Sequence, residues 1–323
     1  MPRSALHPDL ATAASVALHS NFDVGAFLRQ SKSIQVSSAE AWDIDRVVGL
    51  TLLSPHASAI AGEAMLNKFR SRLATVTDDV DAFLHAMRLS GACLSGGRAL
   101  SIVDNKATFE GVDWDFYCPF EGFDAFCIFL VERLKGTTVE LGPLAQAHYV
   151  SMVGICGFRR ISTERGVFDV MRSETATPLL PLPYFHSTLL VNYISADSLC
   201  VAYPLGLLSR NGVTQSRSLS EHATAGLAKY RSRGYEFHDV PWTWDPRKEG
   251  RCYEHGHCSR AVRYFGDEYC FTVKFPNRSP PSVLPILGGK LTCAWVWGGY
   301  GCGHADCLLH VPSIAHSLLI RGR

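Results

Sequence analysis

The sequence predicts an α/β (α+β) protein. The expected architecture is a mixed sheet flanked by helices, with a helical lead-in before it and a strand-rich segment after it. Three observations predict this. Apolar residues recur at helical spacing through the first third, behind recognisable capping residues. Short runs that mix aromatic, β-branched and polar residues follow, punctuated by glycine and proline. After about residue 236, Trp, Cys, His, Gly and Pro crowd together and helical periodicity fades. The expected divisions are a helical N-terminal region over 1–76, a core over 77–235 and a Cys/His-rich, strand-containing region over 236–323.

The elements follow in order. Residues 1–36 form an irregular or loosely helical lead-in. Ser37-Ser38-Ala39-Glu40 has the capping-box pattern, so a helix carrying Ile44, Val47, Val48 and Leu52 is expected behind it. Pro55 ends or kinks that helix, and another spans about Ala59 to Arg72. Thr77-Asp78-Asp79 caps a third helix, whose stripe is Val80, Phe83, Leu84 and Met87. It leads into Cys93-Leu94-Ser95-Gly96-Gly97, a short apolar stretch feeding a tight turn. Val112 to Cys118 is a strand, and Phe123 to Leu134 an amphipathic helix. Tyr149 to Ser162 and Val167 to Met171 form a hairpin around Glu164-Arg165-Gly166. Thr177 to Pro183 is a loop, and Phe185 to Ile194 is expected to be helical. Glu221 to Arg231 is a helix ended by Gly234, and strand pieces lie at Tyr269–Phe275 and Leu291–Trp297.

Composition narrows the function classes. Of 323 residues, 47% are apolar, too many for a disordered chain. Lys and Arg number 31 and Asp and Glu 30, so no global field advertises a nucleic-acid partner, and one would need a local patch. No run approaches the roughly 20 apolar residues of a membrane span. Met1 to Asn21 lacks the apolar core of a secretory signal, although its Ala- and Ser-rich composition leaves organelle targeting open. The odd count of 11 cysteines does not suit a fully paired disulfide framework. A reduced intracellular protein, cytoplasmic or nuclear, is expected, with Cys93, Cys118, Cys127, Cys156 and Cys200 as core packing.

The chemistry centres on Asp113, Asp115 and Asp169. Residues two apart on a strand share a face, so Asp113 and Asp115 project together while Trp114 points into packing. Adjacent carboxylates resist ionisation, and a divalent cation relieves the repulsion. Mg²⁺ commonly takes one or two carboxylates plus substrate phosphates. Asp169, in the next strand system, could add a third. A solvated strand face is the competing reading of such a pair. Gly96-Gly97 allows close backbone approach to a ligand, Ser95 and the turn amides can bind phosphate oxygens, and Arg98 could add charge.

Ser95-Gly96-Gly97, then Asp113-Trp114-Asp115 about 16 residues on, then Asp169 alone in a hydrophobic strand, resembles the nucleotidyltransferase fold of the polymerase-β type. More closely, the chain resembles a large group of uncharacterised proteins of mushroom-forming fungi. That likeness spans roughly residues 77–300. It includes Met87-Arg88-Leu89-Ser90-Gly91, Phe185-His186-Ser187-Thr188, Lys229-Tyr230-Arg231-Ser232-Arg233-Gly234 and Trp297-Gly298-Gly299. The resemblance implies a nucleotidyltransferase-like mixed sheet. It makes Asp113 and Asp115 the Mg²⁺- or Mn²⁺-binding pair, Asp169 the third acid, and Gly96-Gly97 the phosphate turn for an NTP. The implied reaction moves a nucleoside monophosphate to an acceptor (a small molecule, an RNA end or a protein) and releases pyrophosphate. Here the interval between the glycines and the first acid is longer than in compact members, with a loop insertion expected at Asp104-Asn105-Lys106.

Further residues carry two readings each. Lys229 and Arg233 are expected to share a helix face and could neutralise a triphosphate; a solvated helix end is the alternative. His186 is a base or a packed core histidine. Cys252, His255, His257 and Cys258, with Cys302, His304, Cys307 and His310, have spacings that could close a zinc site, against ordinary buried thiols. Two other functions are therefore open: a catalytically silent binding module of the same fold, and a zinc-stabilised interaction protein.

Overall fold

The computed structural model describes residues 11–12, 15–16, 23–109, 113–142, 152–215, 220–239, 262–276 and 293–297. The N-terminal region is helical: α1 (Val24–Leu28), α2 (Lys32–Glu40), α3 (Ile44–Leu53) and α4 (Pro55–Leu73). The capping-box pattern misleads here, because Ser37 and Glu40 lie inside α2 and Asp43 stands at the N-cap of α3. The chain breaks between them to bury Trp42, whose ring packs 4.9 Å from that of Phe27. Pro55 opens α4 rather than ending a helix, since the first helical position needs no N–H donor, and Ser54 accepts from the amide of Ala57. The buried face of α4 is largely small or slender (Ala57, Ile60, Ala61, Ala64 and Met65), so α2 and α3 pack closely against it.

The core begins with α5 (Val80–Ser90), capped by the Asp79 side chain and ended by Gly91 at φ 69°. Strand β1 (Cys93–Leu94), helix α6 (Gly96–Val103), strand β2 (Asp113–Cys118) and helix α7 (Phe123–Arg133) follow. Next come β3 (Thr137–Val139) and the hairpin of β4 (Ile155–Thr163) and β5 (Gly166–Ser173). The helix expected over 185–194 is instead a short 3₁₀ turn, Thr188–Leu190, and strand β6 (Asn192–Ile194). Val191, Tyr193 and Ile194 are buried and either aromatic or β-branched, and pairing with β1 and with β7 (Ser198–Val201) outweighs local helical spacing. The chain continues through α8 (Pro204–Ser209), β8 (Asn211–Val213), α9 (Glu221–Arg231) and β9 (Glu236–His238). Three further strands are β10 (Val262–Tyr264), β11 (Phe271–Lys274) and β12 (Ala294–Val296).

Eight strands form one mixed sheet in the order β11-β7-β6-β1-β2-β5-β4-β3. Its neighbours are antiparallel except β2 and β5, which run parallel. The two faces differ. On one, Trp114, Phe116, Phe168 and Ile161 pack in a core shared with the helices, where Phe83 lies 5.7 Å and Phe126 5.0 Å from Phe116. On the other, Tyr117, Met171, Tyr193 and Cys200 meet Leu179, Leu182, Trp295 and Trp297. Strand β11, from beyond residue 236, is the sheet's edge against β7. Cys93, Cys118, Cys127 and Cys200 are buried as expected, whereas Cys156 is exposed at a β-bulge of β4. Among the described residues no helix is long and apolar enough to cross a membrane.

Candidate functional site around Asp115

The site begins with the alternation of β2. Trp114 and Phe116 are buried, while Asp113 and Asp115 keep partial exposure on the opposite face. Parallel pairing then brings in the third acid: Asp115 stands opposite Asp169 in register. Asp169 is 2% exposed. Its carboxylate accepts two charged hydrogen bonds from Arg160 on β4, at 2.7 and 2.6 Å from Nε and Nη2. Asp115, Asp169 and Arg160 thus form one row across three strands.

The glycine turn meets this row. The amide of Ser95 donates to the carbonyl of Asp115 at 2.9 Å, tying the end of β1 to β2. Ser95 Oγ donates instead to the Asn192 carbonyl at 2.5 Å, so it does not cap α6. Gly96 has φ +66°, and a Cβ there would stand 2.5 Å from Asp115 Oδ2. Only glycine fits both the backbone and the space. A Cβ on Gly97 would stand 2.7 Å from the Tyr230 hydroxyl and 3.9 Å from Arg233 Nη1. The first turn of α6 therefore lies between Asp115 on one side and Tyr230 and Arg233 on the other.

The electrostatics follow from this crowding. Burial, then the charges of Asp169 and Asp113, push Asp115 up to about 7, opposed by Lys229 and Arg160. Burial and the charge of Asp115 also raise the Tyr230 phenol, against the pull of Arg233. His186 is lowered to about 4 by burial and by His222 and Lys229, so it is neutral at pH 7. Its Nε2 has no hydrogen-bond partner among the described residues. The ring packs against Gly226 and lies 6.2 Å from that of Tyr230.

The sequence-predicted residues divide accordingly. Asp113, Asp115, Asp169, Gly96, Gly97, Lys229 and Arg233 gather around one spot. The helix stops at Arg231, so Arg233 reaches the glycines from the following turn, with its guanidinium 3.9 Å from the Phe109 ring. Arg98 goes elsewhere: it is 8% exposed and lies 4.6 Å from the Trp114 ring, a side chain of the opposite sheet face. Asp104 is buried, accepting from the Tyr235 hydroxyl at 2.6 Å, so the expected insertion is anchored in the core. Sequence reasoning missed Tyr230 and Arg160. Cys252, His255, His257, Cys258, Cys302, His304, Cys307 and His310 lie outside the described residues.

Asp113 and Asp115 offer the kind of hard oxygen pair that Mg²⁺ or Mn²⁺ takes, and the raising of Asp115, by burial first and then by the charges of Asp169 and Asp113, is a cost that a dication there would offset. Asp169 fits less directly, because Arg160 holds both its oxygens. Among the described residues no three His, Cys, Asp or Glu side chains are grouped to hold a metal ion. Comparison with known proteins finds no matching family model, no matching curated protein and no matching solved structure.

Proposed function

We propose that this chain is a metal-dependent nucleotidyltransferase. It would move a nucleoside monophosphate from an NTP to an acceptor hydroxyl or phosphate, releasing pyrophosphate. One observation carries the proposal: an uncapped helix start at Gly96-Gly97 packs directly against Asp115, which is in register with Asp169. An anion site at a helix N-terminus and a metal-type carboxylate pair would adjoin, as phosphoryl transfer requires.

The roles follow from position. Asp113 and Asp115 would hold Mg²⁺ or Mn²⁺, which when bound supplies neutralisation of phosphate charge. The amides of the α6 first turn would take terminal phosphate oxygens, with Lys229 and Arg233 adding positive charge. Ser95, locked to Asn192, would set the turn's direction. An acceptor oxygen would attack the α-phosphorus, a hydroxyl acceptor giving up its proton to Asp169, the candidate for activating it, or to solvent; the α–β bridging P–O bond breaks, and the electron pair leaves with pyrophosphate. The chain's contribution would be positioning and charge placement rather than covalent chemistry.

Purified protein incubated with Mg²⁺ or Mn²⁺ and each α-labelled NTP should release pyrophosphate and transfer label, to itself or to an added acceptor. Asp113→Ala and Asp115→Ala should lose both. No release from the natural sequence under either metal would overturn the proposal. The Arg160–Asp169 pair favours one competing reading, a catalytically silent nucleotide-binding module, because it neutralises the third acid without metal. Nucleotide binding by calorimetry that needs no metal and survives loss of Asp113 and Asp115 would select that reading.

A further inference from the structure

We infer that Tyr230 is a further ligand-binding residue of the glycine turn: its hydroxyl donates to an oxygen of the terminal phosphate, alongside Arg233. This deepens the nucleotidyltransferase reading and rests on it. Three observations carry it. The first is placement. The Tyr230 hydroxyl and Arg233 Nη1 both face Gly97, where a Cβ would stand 2.7 Å from the one and 3.9 Å from the other. The second is a surplus of donors. Tyr230 is 5% exposed, yet among the described residues no hydrogen bond takes its proton. Its neighbour Arg233 carries donors only and cannot accept that proton. Arg233 Nη1 is itself buried with no hydrogen-bond partner among the described residues, and no side chain caps α6. The third is rigidity. The Tyr230 ring lies 6.2 Å from each of the Phe109, Tyr235 and His186 rings, and Arg210 Nη2 donates to the Arg233 carbonyl at 2.8 Å. Both donors are held before a ligand arrives, so little side-chain freedom is lost on binding.

This donor set selects a class of ligand. Two side-chain donors converge with the first-turn amides of α6, and a donor left buried without an acceptor is costly. A phosphate group presents acceptor oxygens on every side and satisfies all of them, with charge-assisted bonds. Burial and the charge of Asp115 keep the phenol protonated, so it stays a donor across the neutral range. The same Asp115 charge opposes a bare anion, so the phosphate is best accommodated together with its metal.

Calorimetry on the full chain with inorganic triphosphate and with a non-hydrolysable NTP analogue, each with Mg²⁺, tests the inference without turnover. Tyr230→Phe removes one oxygen and keeps the ring. It should weaken both ligands about ten-fold and by the same factor, because the contact is to phosphate. Mn²⁺ bound alone, measured by electron paramagnetic resonance, should stay within about two-fold of the natural affinity. Gly97→Ala reaches the same contact from the other side, since its methyl forces the hydroxyl away, and it serves if the phenylalanine variant does not fold. It should weaken both ligands by a comparable factor and add little in the Tyr230→Phe background. Natural triphosphate affinity in the folded variants overturns the inference, as does an equal loss of Mn²⁺ affinity, which marks a general disturbance of the site. If the natural protein binds neither ligand with metal, the nucleotidyltransferase reading and the inference fail together. Binding that needs Asp115 but ignores Tyr230 overturns only the inference. Binding that needs Tyr230 but neither metal nor Asp115 supports the Tyr230 contact and overturns the nucleotidyltransferase reading.

Discussion

Asp115→Asn should make the protein more stable at neutral pH. The substitution keeps the side chain's shape and removes its charge. In the folded chain burial and the neighbouring Asp169 and Asp113 raise this carboxyl from 3.8 to about 7. Unfolded, it returns to its ordinary value. Between those values the folded state keeps a proton that the unfolded state has lost, so stability is complete below about pH 4 and falls as pH rises to about 7. A shift of that size corresponds to a ceiling of about 4 kcal/mol. Solvent contact at the partly exposed residue screens the repulsion, and about 2 kcal/mol is the working magnitude. Asn carries none of this penalty. Urea unfolding at a series of pH values should show equal midpoints at pH 4 and a variant ahead by about 1 M at pH 8. Mg²⁺ added at pH 8 should narrow the gap by stabilising the natural protein and not the variant. A variant no more stable than the natural protein at pH 8 would refute the reasoning that burial and the neighbouring acids penalise the Asp115 charge.

Two further substitutions separate the turn from the scaffold. Gly96→Ala meets both a left-handed backbone and the Asp115 carboxylate, and should cost about 2–4 kcal/mol in chemical unfolding while weakening triphosphate binding in calorimetry. Phe168→Ala empties a fully buried position on the helix-covered face and should cost about 3–5 kcal/mol, yet leave Mn²⁺ affinity of the folded protein within two-fold, because its side chain faces away from Asp169.

How much of this was legible depended on the range of each interaction. Asp113 and Asp115 on one face, with Trp114 buried between them, follow from the period of a strand and needed no partner. The Asp79 cap and the helix behind it were equally local. The pairing of Asp115 with Asp169 was not: strand patterning set Asp169 in a neighbouring strand system, but a parallel register between distant segments leaves no mark in either. Arg160 was within reach. The Glu164-Arg165 turn closes the hairpin with Thr163 opposite Gly166, and stepping back three residues on each strand sets Arg160 opposite Asp169. The segment over 185–194 failed for the opposite reason: its apolar spacing is compatible with a helix, but Asn192–Ile194 has sheet partners on both sides. Ser37 and Glu40 show the same limit at small scale, since a capping pattern inside a helix has no end to cap.

The contrast between neighbouring acids bears most directly on function. A buried aspartate held by a forked arginine is what a sheet needs to tolerate charge, and by itself Asp169 would be a structural feature. Asp115, one strand away in the same row, is treated differently. It has no ion-pair partner among the described residues, it is pressed against the Gly96 turn, and its ionisation is opposed by both neighbours. A scaffold under selection for stability alone would exchange it for Asn or Ser at no cost to the strand. Electrostatic strain concentrated at a residue that also contacts an uncapped helix start supports the proposed reading, in which the ligand bears positive and negative charge together as a metal-bound triphosphate does. Stabilisation by Mg²⁺ and a nucleotide analogue that exceeds the sum of their separate effects, and that vanishes in Asp115→Asn, is the result this electrostatic arrangement demands.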